Sequence, residues 1–229
     1  HGPIEALFTI DEETGLTGAS SLEPGILKGD ILLNLDSEDE GELYIGCAGG
    51  INAHVTFNYE AEEIPDNHMP YQVSVSGFKG GHSGLDIHLG RGNAIIILIR
   101  LLWRATFKFG LRLSDVNGGS LRNAIPREAF ATVLVPGDKE NEFLKFIKGY
   151  ESMLKEEYRA IEPDFSIKAE KTGMPEGIID DETTNKIISA IYTCPNGVIR
   201  MSRDMEDLVE TSSNLAVVKT EFKKIKVEC

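Results

Sequence analysis

The pattern of apolar residues changes near residue 50, and this change constrains the fold more than any other feature of the chain. Before it, Ile4 to Ile10 and Ile31 to Leu35 are apolar runs bounded by acidic or glycine-containing turns, and Glu42 to Cys47 is a third candidate strand. Such runs are typical of buried strands in an α/β sheet. After it, His54 to Tyr59 and Tyr71 to Phe78 alternate apolar and polar residues, as strands with one face in water do. The sequence therefore predicts two parts with different kinds of sheet.

The part that follows residue 50 combines strands with helices. Further strands are predicted at residues 111–113, 129–135, 165–169, 216–220 and 224–229. Helical spacing predicts helices at residues 94–107, 138–159 and 180–192. Because Ala94 to Phe107 is apolar on most sides, we expect one face of this helix to contact a partner as well as the sheet. The pattern predicts an α+β domain with an antiparallel sheet and helices on one face.

Charge, hydropathy and cysteine usage limit the partners and the compartment. The chain has 37 acidic and 23 basic residues, a net charge of −14, whereas nucleic-acid binding needs clustered Lys and Arg. The most apolar run, Ala94 to Trp103, is too short to span a bilayer and contains Arg100. Cys47, Cys194 and Cys229 are scattered and form no C-x-x-C motif, which suits a reducing cytosol. We expect a cytoplasmic protein with no nucleic-acid or membrane partner.

Acidic motifs follow the first two apolar runs. Glu12 and Glu13 come directly after the first run, and Asp36 comes directly after the second. Ligands of an α/β sheet bind at the carboxyl ends of its strands, where one carboxylate can bind a metal ion while its neighbour accepts a proton from water. A solvated acidic turn is the simpler alternative for Glu12 and Glu13 on this motif alone. A single Asp at a strand end is a fair zinc ligand, and we interpret Glu38 to Glu40 as solvated.

Three polar turns add candidate substrate contacts. His82 lies between glycines in the segment Gly80 to Gly84, where it could polarise a carbonyl oxygen or simply cap a strand, and spacing does not separate the two. Asn123 could donate hydrogen bonds to a substrate, and Arg200 could bind a terminal carboxylate through two guanidinium nitrogens. For Asn123 and Arg200 the alternatives are turn formation and a surface ion pair, and these are favoured when each motif is taken alone.

Short segments spread along the chain carry a family resemblance. They are IEALFTIDEETG (residues 4–15), NLDSE (34–38), GCAGG (46–50), GFKGGHSG (77–84), NGGSLRNAIPRE (117–128) and PNGVIR (195–200). In this order they resemble the aminoacyl-histidine (Xaa-His) dipeptidases, which belong to the carboxypeptidase G and aminoacylase-like group of dizinc metallopeptidases. The resemblance covers nearly the whole chain and is weakest across residues 136–190.

The resemblance implies roles for the acidic residues. Glu12 matches the general base of a hydrolysis that uses a metal-activated water and forms no covalent intermediate. Glu13 matches a ligand of one zinc ion, and Asp36 matches a ligand of the other. The implied cofactor of the complete enzyme is therefore a pair of zinc ions.

The resemblance also implies roles for the polar turns. His82 matches a lid histidine that reaches across a homodimer to the scissile carbonyl group and donates to the developing oxyanion. Asn123 and Arg200 match lid positions that help to hold the dipeptide substrate. The lid domain is the implied dimerisation surface.

The implied architecture is a segment of an α/β zinc-exopeptidase catalytic domain at residues 1–48, followed by an α+β lid and dimerisation domain at residues 49–229. A complete site also needs a bridging Asp, a His-x-Asp segment and a second ligand His. No His-x-Asp occurs in the sequence, so Glu13 and Asp36 are the only matched ligands. Two carboxylates are too few to hold two zinc ions. We expect the missing ligands in a longer parent chain, of which this chain is a fragment.

Three functions are compatible with these features. The first is a cytosolic, zinc-dependent Xaa-His dipeptidase that dimerises through its lid. The second is a stand-alone, lid-like module that dimerises or binds a partner and catalyses nothing. The third is another peptidase of the same group that acts on different dipeptides or on acylated amino acids, because pocket shape sets side-chain preference.

Overall fold

The computed structural model describes residues 2–12, 15–36 and 40–229. The chain divides into two compact units, residues 1–50 and residues 51–229. The apolar core lies in the second unit, where its buried side chains run from Tyr71 to Val227. The roles assigned above to residues 1–48 and 49–229 stay predictions.

The first unit contains one short helix, α1 (Thr17–Ser20), and its described residues form no strand. The strands predicted at residues 4–10, 31–35 and 42–47 are therefore wrong. A strand needs neighbours for its backbone N–H and C=O groups and an apolar layer to cover its side chains. The described residues of this unit supply neither for these segments, and the side chain of Phe8 is 91% exposed.

The second unit contains the longer strands and the three helices that the sequence predicts, together with several short strands. The strands are β1 (His54–Asn58), β2 (Ala61–Glu62), β3 (His68–Ser76), β4 (Gly81–His82), β5 (Arg112–Gly118), β6 (Ala124–Ile125), β7 (Ala129–Pro136), β8 (Ser166–Lys171), β9 (Ile178–Ile179), β10 (Gly197–Met201), β11 (Val209–Ser213), β12 (Val217–Glu221) and β13 (Lys224–Glu228). The helices are α2 (Ala94–Phe109), α3 (Glu140–Glu157) and α4 (Asp181–Tyr192), with 3-10 turns at Ile87–Leu89 and Gly137–Lys139.

Seven of these strands form one antiparallel sheet in the order β1-β13-β12-β5-β7-β3-β8. Within β3, Tyr71, Val73 and Val75 are buried, whereas Gln72 between them is exposed. This alternation is the period-2 pattern of a sheet that is covered on one face. The predicted antiparallel sheet is confirmed.

The helices cover the sheet and complete the core. Helix α2 contacts β3, β5 and β7, α3 contacts β7 and β8, and α4 contacts β1 and β5. Helix α2 also contacts α3 and α4, which explains why its sequence is apolar on most sides. Its outward residue Phe107 is 73% exposed and lies against Trp103, so a partner for this face stays a prediction. No helix in the described part of the chain is long and apolar enough to cross a membrane.

Candidate functional site

His82 and Asn123 lie next to each other in the fold. His82 belongs to β4, which pairs with β6 so that His82 lies opposite Ala124. The backbone N–H of Ser83 donates to the carbonyl oxygen of Asn123 at 2.8 Å. Although 41 positions separate the two residues in the sequence (123 − 82), the two short strands bring them together. The structure thus assembles two of the predicted site residues on adjacent backbone segments.

The imidazole of His82 is held by its own loop. Its Nδ1 atom lies 3.0 Å from the backbone nitrogen of Gly84 and 3.2 Å from that of Leu85, and both amides donate to it. Because Nδ1 accepts these bonds, the proton of the neutral ring is assigned to Nε2. The side chain is exposed, so the ring offers Nε2–H as a donor toward a ligand.

We call residues 79–92 the His82 loop, and a buried carboxylate closes its base. Glu162 is 1% exposed. One of its oxygens accepts from the backbone N–H of Lys79 at 2.9 Å, and the other accepts from that of Gly92 at 3.0 Å. Both ends of the loop are therefore bonded to one side chain. This arrangement gives each backbone N–H group an acceptor and each oxygen of the buried carboxylate a donor.

An ion pair lies inside the loop. Arg91 Nη1 lies 3.2 Å from Asp86 Oδ2 and donates to the carbonyl oxygen of Gly80 at 2.6 Å. Gly81 has a φ of +146°, and a Cβ atom at this position would lie 2.3 Å from Arg91 Nη1 and 2.6 Å from Asp86 Oδ2. Only glycine fits there, because the two charged groups pack directly on its backbone.

Sequence reasoning missed Asp86, Arg91 and Glu162. Asp86 and Arg91 follow His82 within a glycine-rich, polar segment, and a carboxylate four residues after a candidate His is a signal that could have indicated loop closure. Glu162 gives no local signal, because its partners Lys79 and Gly92 lie far away in the sequence. Only the three-dimensional fold shows its role.

Arg200 lies on the hairpin of β10 and β11, where its guanidinium forms an ion pair with Glu210. The surface ion pair considered from the sequence is therefore present. Strand β10 also contacts the 3-10 turn Ile87–Leu89 of the His82 loop. Arg200 thus belongs to an element that packs against this loop, and its binding of a carboxylate would require exchange of the Glu210 partner.

A network of amide side chains supports this end of the sheet. Asn93 is 3% exposed, and its Nδ2 donates to Asn196 Oδ1 at 3.0 Å and to the carbonyl oxygen of Leu215 at 2.9 Å. Asn214 Nδ2 donates to the carbonyl oxygen of Ala124 at 2.8 Å, next to Asn123. Hydrogen bonds therefore link the residues before β10 to the start of α2, and link β6, which pairs with the His82 strand, to the residues before β12.

A cleft of about 590 Å³ lies beside the paired strands β4 and β6, next to His82 and Asn123, neither of which lines it. It is lined by residues at the start of the His82 loop, by the turn after β5 and by β6 with its flanks, including Gly81, Gly119, Leu121, Ala124 and Arg127. Its volume lies in the range of about 300–1,000 Å³ that is usual for small-molecule sites.

The candidate metal ligands lie in the first unit. Glu12 and Asp36 are exposed, and Glu13 lies outside the described residues. Within residues 2–12, 15–36 and 40–229, no three His, Cys, Asp or Glu side chains come together as a metal site would require. Carboxylates are suitable zinc ligands, but a site needs three or four protein donors. The described residues therefore do not fit a complete zinc site, and the ligand roles of Glu13 and Asp36 stay predictions.

Residues 73–162 match the sequence profile of the peptidase dimerisation domain. The match runs from β3 through α3 and contains the whole His82 loop. The matched residues carry the central strands and helices of the antiparallel sheet described above. The lid and dimerisation fold predicted from the sequence is confirmed.

Two relatives extend the similarity over the whole chain. The chain is 40% identical over 229 residues to the cytosol non-specific dipeptidase of Escherichia coli (strain K12), and it spans 47% of that protein. It is 47% identical to the aminoacylhistidine dipeptidase from Vibrio alginolyticus, whose crystal structure it matches with a TM-score of 0.87 over 96% of this chain and 45% of the other. The chain is a homologue of these dipeptidases and spans about half of their length, which confirms the predicted resemblance.

Proposed function

We propose that this chain serves in a cytoplasmic, zinc-dependent dipeptidase that hydrolyses Xaa-His dipeptides as a homodimer. The observation that carries the proposal is the exposed His82 imidazole, whose Nδ1 accepts two backbone N–H groups and leaves Nε2–H as a donor. The neighbouring residue Gly81 lines a cleft of about 590 Å³. The similarity to two dipeptidases along the whole chain supports the reaction class. Both relatives are named as dipeptidases, but one name is non-specific and the other specifies aminoacyl-histidine substrates. The preference for Xaa-His dipeptides is therefore part of the proposal.

The dimerisation domain contributes the groups that act on the substrate. His82 Nε2–H donates a hydrogen bond to the scissile carbonyl oxygen, across the dimer, as negative charge develops on that oxygen. Asn123 donates a hydrogen bond to the dipeptide from the adjacent segment. Arg200 exchanges Glu210 for the terminal carboxylate of the substrate, which it can bind through two nitrogens.

The first unit contributes the acidic groups. Glu12 accepts a proton from the attacking water and is the general base. Glu13 and Asp36 are the proposed zinc ligands, and the remaining ligands come from outside the described residues. Zinc held in such a site would supply Lewis-acid polarisation and activation of water.

A chimera tests these roles in a complete enzyme. In it, this chain replaces the matching 45% of the Vibrio alginolyticus aminoacylhistidine dipeptidase. We expect the chimera to hydrolyse an Xaa-His dipeptide faster than dipeptides that lack a carboxyl-terminal His. Glu12→Gln should abolish turnover and leave the zinc content unchanged, because it removes the base and keeps the shape of the side chain.

The His82→Ala variant of the chimera tests the donor. We expect kcat to fall about 10²- to 10³-fold, the usual cost of losing one oxyanion donor. Sedimentation should show an unchanged dimer. Turnover retained in both variants would remove Glu12 and His82 from the reaction. A folded, dimeric and zinc-loaded chimera without any turnover would favour the non-catalytic dimerisation module instead.

A further inference from the structure

We propose that Asp86 is a positioning residue for His82 and that Arg91 holds Asp86 in its place. The inference rests on the proposed function, because the position of His82 matters to catalysis only if its Nε2–H contacts the substrate. The observation behind it is independent of any comparison: a carboxylate and a guanidinium pack on the backbone of the loop beside a histidine whose ring is bonded to that same loop.

Asp86 acts on the backbone of His82. The Oδ2 atom of Asp86 accepts from the backbone N–H of His82 at 2.8 Å, and the backbone N–H of Asp86 donates to the carbonyl oxygen of His82 at 2.8 Å. These two bonds close a tight turn over residues 82–86. The closed turn presents the amides of Gly84 and Leu85 to His82 Nδ1. The carboxylate therefore sets the backbone shape that fixes the ring and leaves Nε2 as the outward donor.

Arg91 acts on Asp86. Its Nη1 atom contacts both Asp86 Oδ2 and the carbonyl oxygen of Gly80. The guanidinium therefore links the Asp86 side chain to the backbone of Gly80, which lies just before the turn. The side chains of Asp86 and Arg91 are 29% and 25% exposed, so the pair is partly screened by solvent. Its main effect is geometric, because the two side chains pack together on the backbone of Gly81.

The loop can lose Asp86 without losing its ends. Glu162 accepts from the backbone N–H groups of Lys79 and Gly92, which are the two ends of the loop and lie outside the turn at residues 82–86. Asp86→Ala should therefore loosen the turn at residues 82–86, while Lys79 and Gly92 stay bonded to Glu162. Asp86→Asn keeps an oxygen that can accept from the His82 N–H and removes only the charge that faces Arg91, so it should retain part of the positioning.

Nitrogen NMR of the histidine rings in the 25.2 kDa chain tests the positioning without any turnover. The His82 signals are assigned by their loss in His82→Gln. In the unchanged chain we expect Nδ1 to show the shift of an unprotonated, hydrogen-bonded nitrogen and the amides of Gly84 and Leu85 to exchange slowly. In Asp86→Ala the Nδ1 shift should move toward that of a free ring and both amides should exchange faster, with an intermediate result for Asp86→Asn.

Glu157→Ala is the matched control, because Glu157 also forms a carboxylate–guanidinium pair at 3.2 Å, with Arg100. It should leave the His82 ring signals unchanged. In the chimera, Asp86→Ala should lower kcat about tenfold and change KM by less than about threefold, since a misplaced catalytic group affects the reaction more than binding.

The outcomes separate the inference from the proposed function. Ring and amide signals that stay the same in Asp86→Ala would overturn the positioning role, whether or not the chimera hydrolyses dipeptides. Displaced signals together with an unchanged kcat in both Asp86→Ala and His82→Ala would support the effect of Asp86 on the ring and overturn the catalytic role of His82. Displaced signals with the expected loss of kcat would support both.

Discussion

At the scale of single residues, Gly81 shows how little space the His82 loop leaves. A Cβ atom there would collide with Arg91 Nη1 and Asp86 Oδ2, and the φ of +146° is unfavourable for other residues. We expect Gly81→Ala to lower the free energy of unfolding by about 1–3 kcal/mol and to move the His82 ring signals. Urea titration and ring NMR measure the two effects.

Gly149→Ala is the control for this substitution. Gly149 lies within α3, and nothing lies within 4 Å of a Cβ atom placed on it. Alanine is the better helix former by about 1 kcal/mol, so this variant should be more stable than the unchanged chain. If Gly81→Ala left both the free energy of unfolding and the His82 signals unchanged, the tight packing at Gly81 would be contradicted.

The thiol of Cys229 gives a second prediction at this scale. Burial, together with a hydrogen bond between its sulfur and that of Cys194 at 3.4 Å, raises the pKa of Cys229 to about 12. Because the thiolate is the reactive form, a raised pKa lowers its fraction at pH 8. We expect iodoacetamide to label Cys229 slowly at pH 8 and increasingly fast as the pH rises toward 12, as peptide mass mapping would show.

The exposed Cys47 is the comparison thiol in the same sample. Cys194→Ser should speed the labelling of Cys229, because it replaces the sulfur partner that favours the protonated form. Labelling of Cys229 at pH 8 at the same rate as that of Cys47 would contradict the raised pKa.

At the scale of elements, Asn93 links α2 to the strands around the candidate site. Its Oδ1 accepts from the backbone N–H groups of Ile95 and Ile96, and its Nδ2 bonds to Asn196 and Leu215. Asn93→Ala removes the helix cap and leaves buried partners unsatisfied, so the free energy of unfolding should fall by about 2 kcal/mol. A urea titration with an unchanged slope measures it.

Asn141→Ala controls for the loss of an amide side chain. Asn141 is an exposed residue of α3, so its substitution should change stability by less than about 0.5 kcal/mol. Equal losses in Asn93→Ala and Asn141→Ala would show that the network around Asn93 contributes no special stability.

The same elements show which parts of the fold the sequence can predict. Helix α2 and strands such as β3 and β7 are long, and their periodic burial is visible in the sequence. Strands β4 and β6 have two residues each, which is too short for a period, and their pairing depends on the turns around them. The sequence therefore predicted the scaffold and could not predict the contact that places His82 beside Asn123.

The candidate site was predictable only in part for a related physical reason. His82, Asn123 and Arg200 stand in polar turns with a recognisable composition, so they could be selected from the sequence. Asp86 and Glu162 support His82 through bonds to backbone N–H groups, and such bonds leave no pattern of residue types. The ion pair of Arg200 with Glu210 likewise depends on the irregular register of the β10 and β11 hairpin.

At the scale of the whole molecule, the two units differ in how their apolar residues are used. The second unit buries a continuous core between its sheet and helices, and residues 73–162 within it match the peptidase dimerisation domain. In the first unit, apolar residues such as Phe8 and Ile45 remain exposed. An apolar run forms a buried strand only where neighbouring segments pair with it and cover it. The described residues of the first unit do not cover the runs at residues 4–10, 31–35 and 42–47, so the strands predicted there are not formed.

Mixed dimers of the chimera test most directly the central claim that His82 of a dimerisation domain acts in a dipeptidase site. One subunit carries Glu12→Gln and the other carries His82→Ala, and the heterodimer is isolated through two different affinity tags. The subunit with intact Glu12 then receives the partner's His82, so about half of the unsubstituted turnover per dimer should return, because one of two symmetric sites is complete. A heterodimer as inactive as either homodimeric variant would contradict the claim.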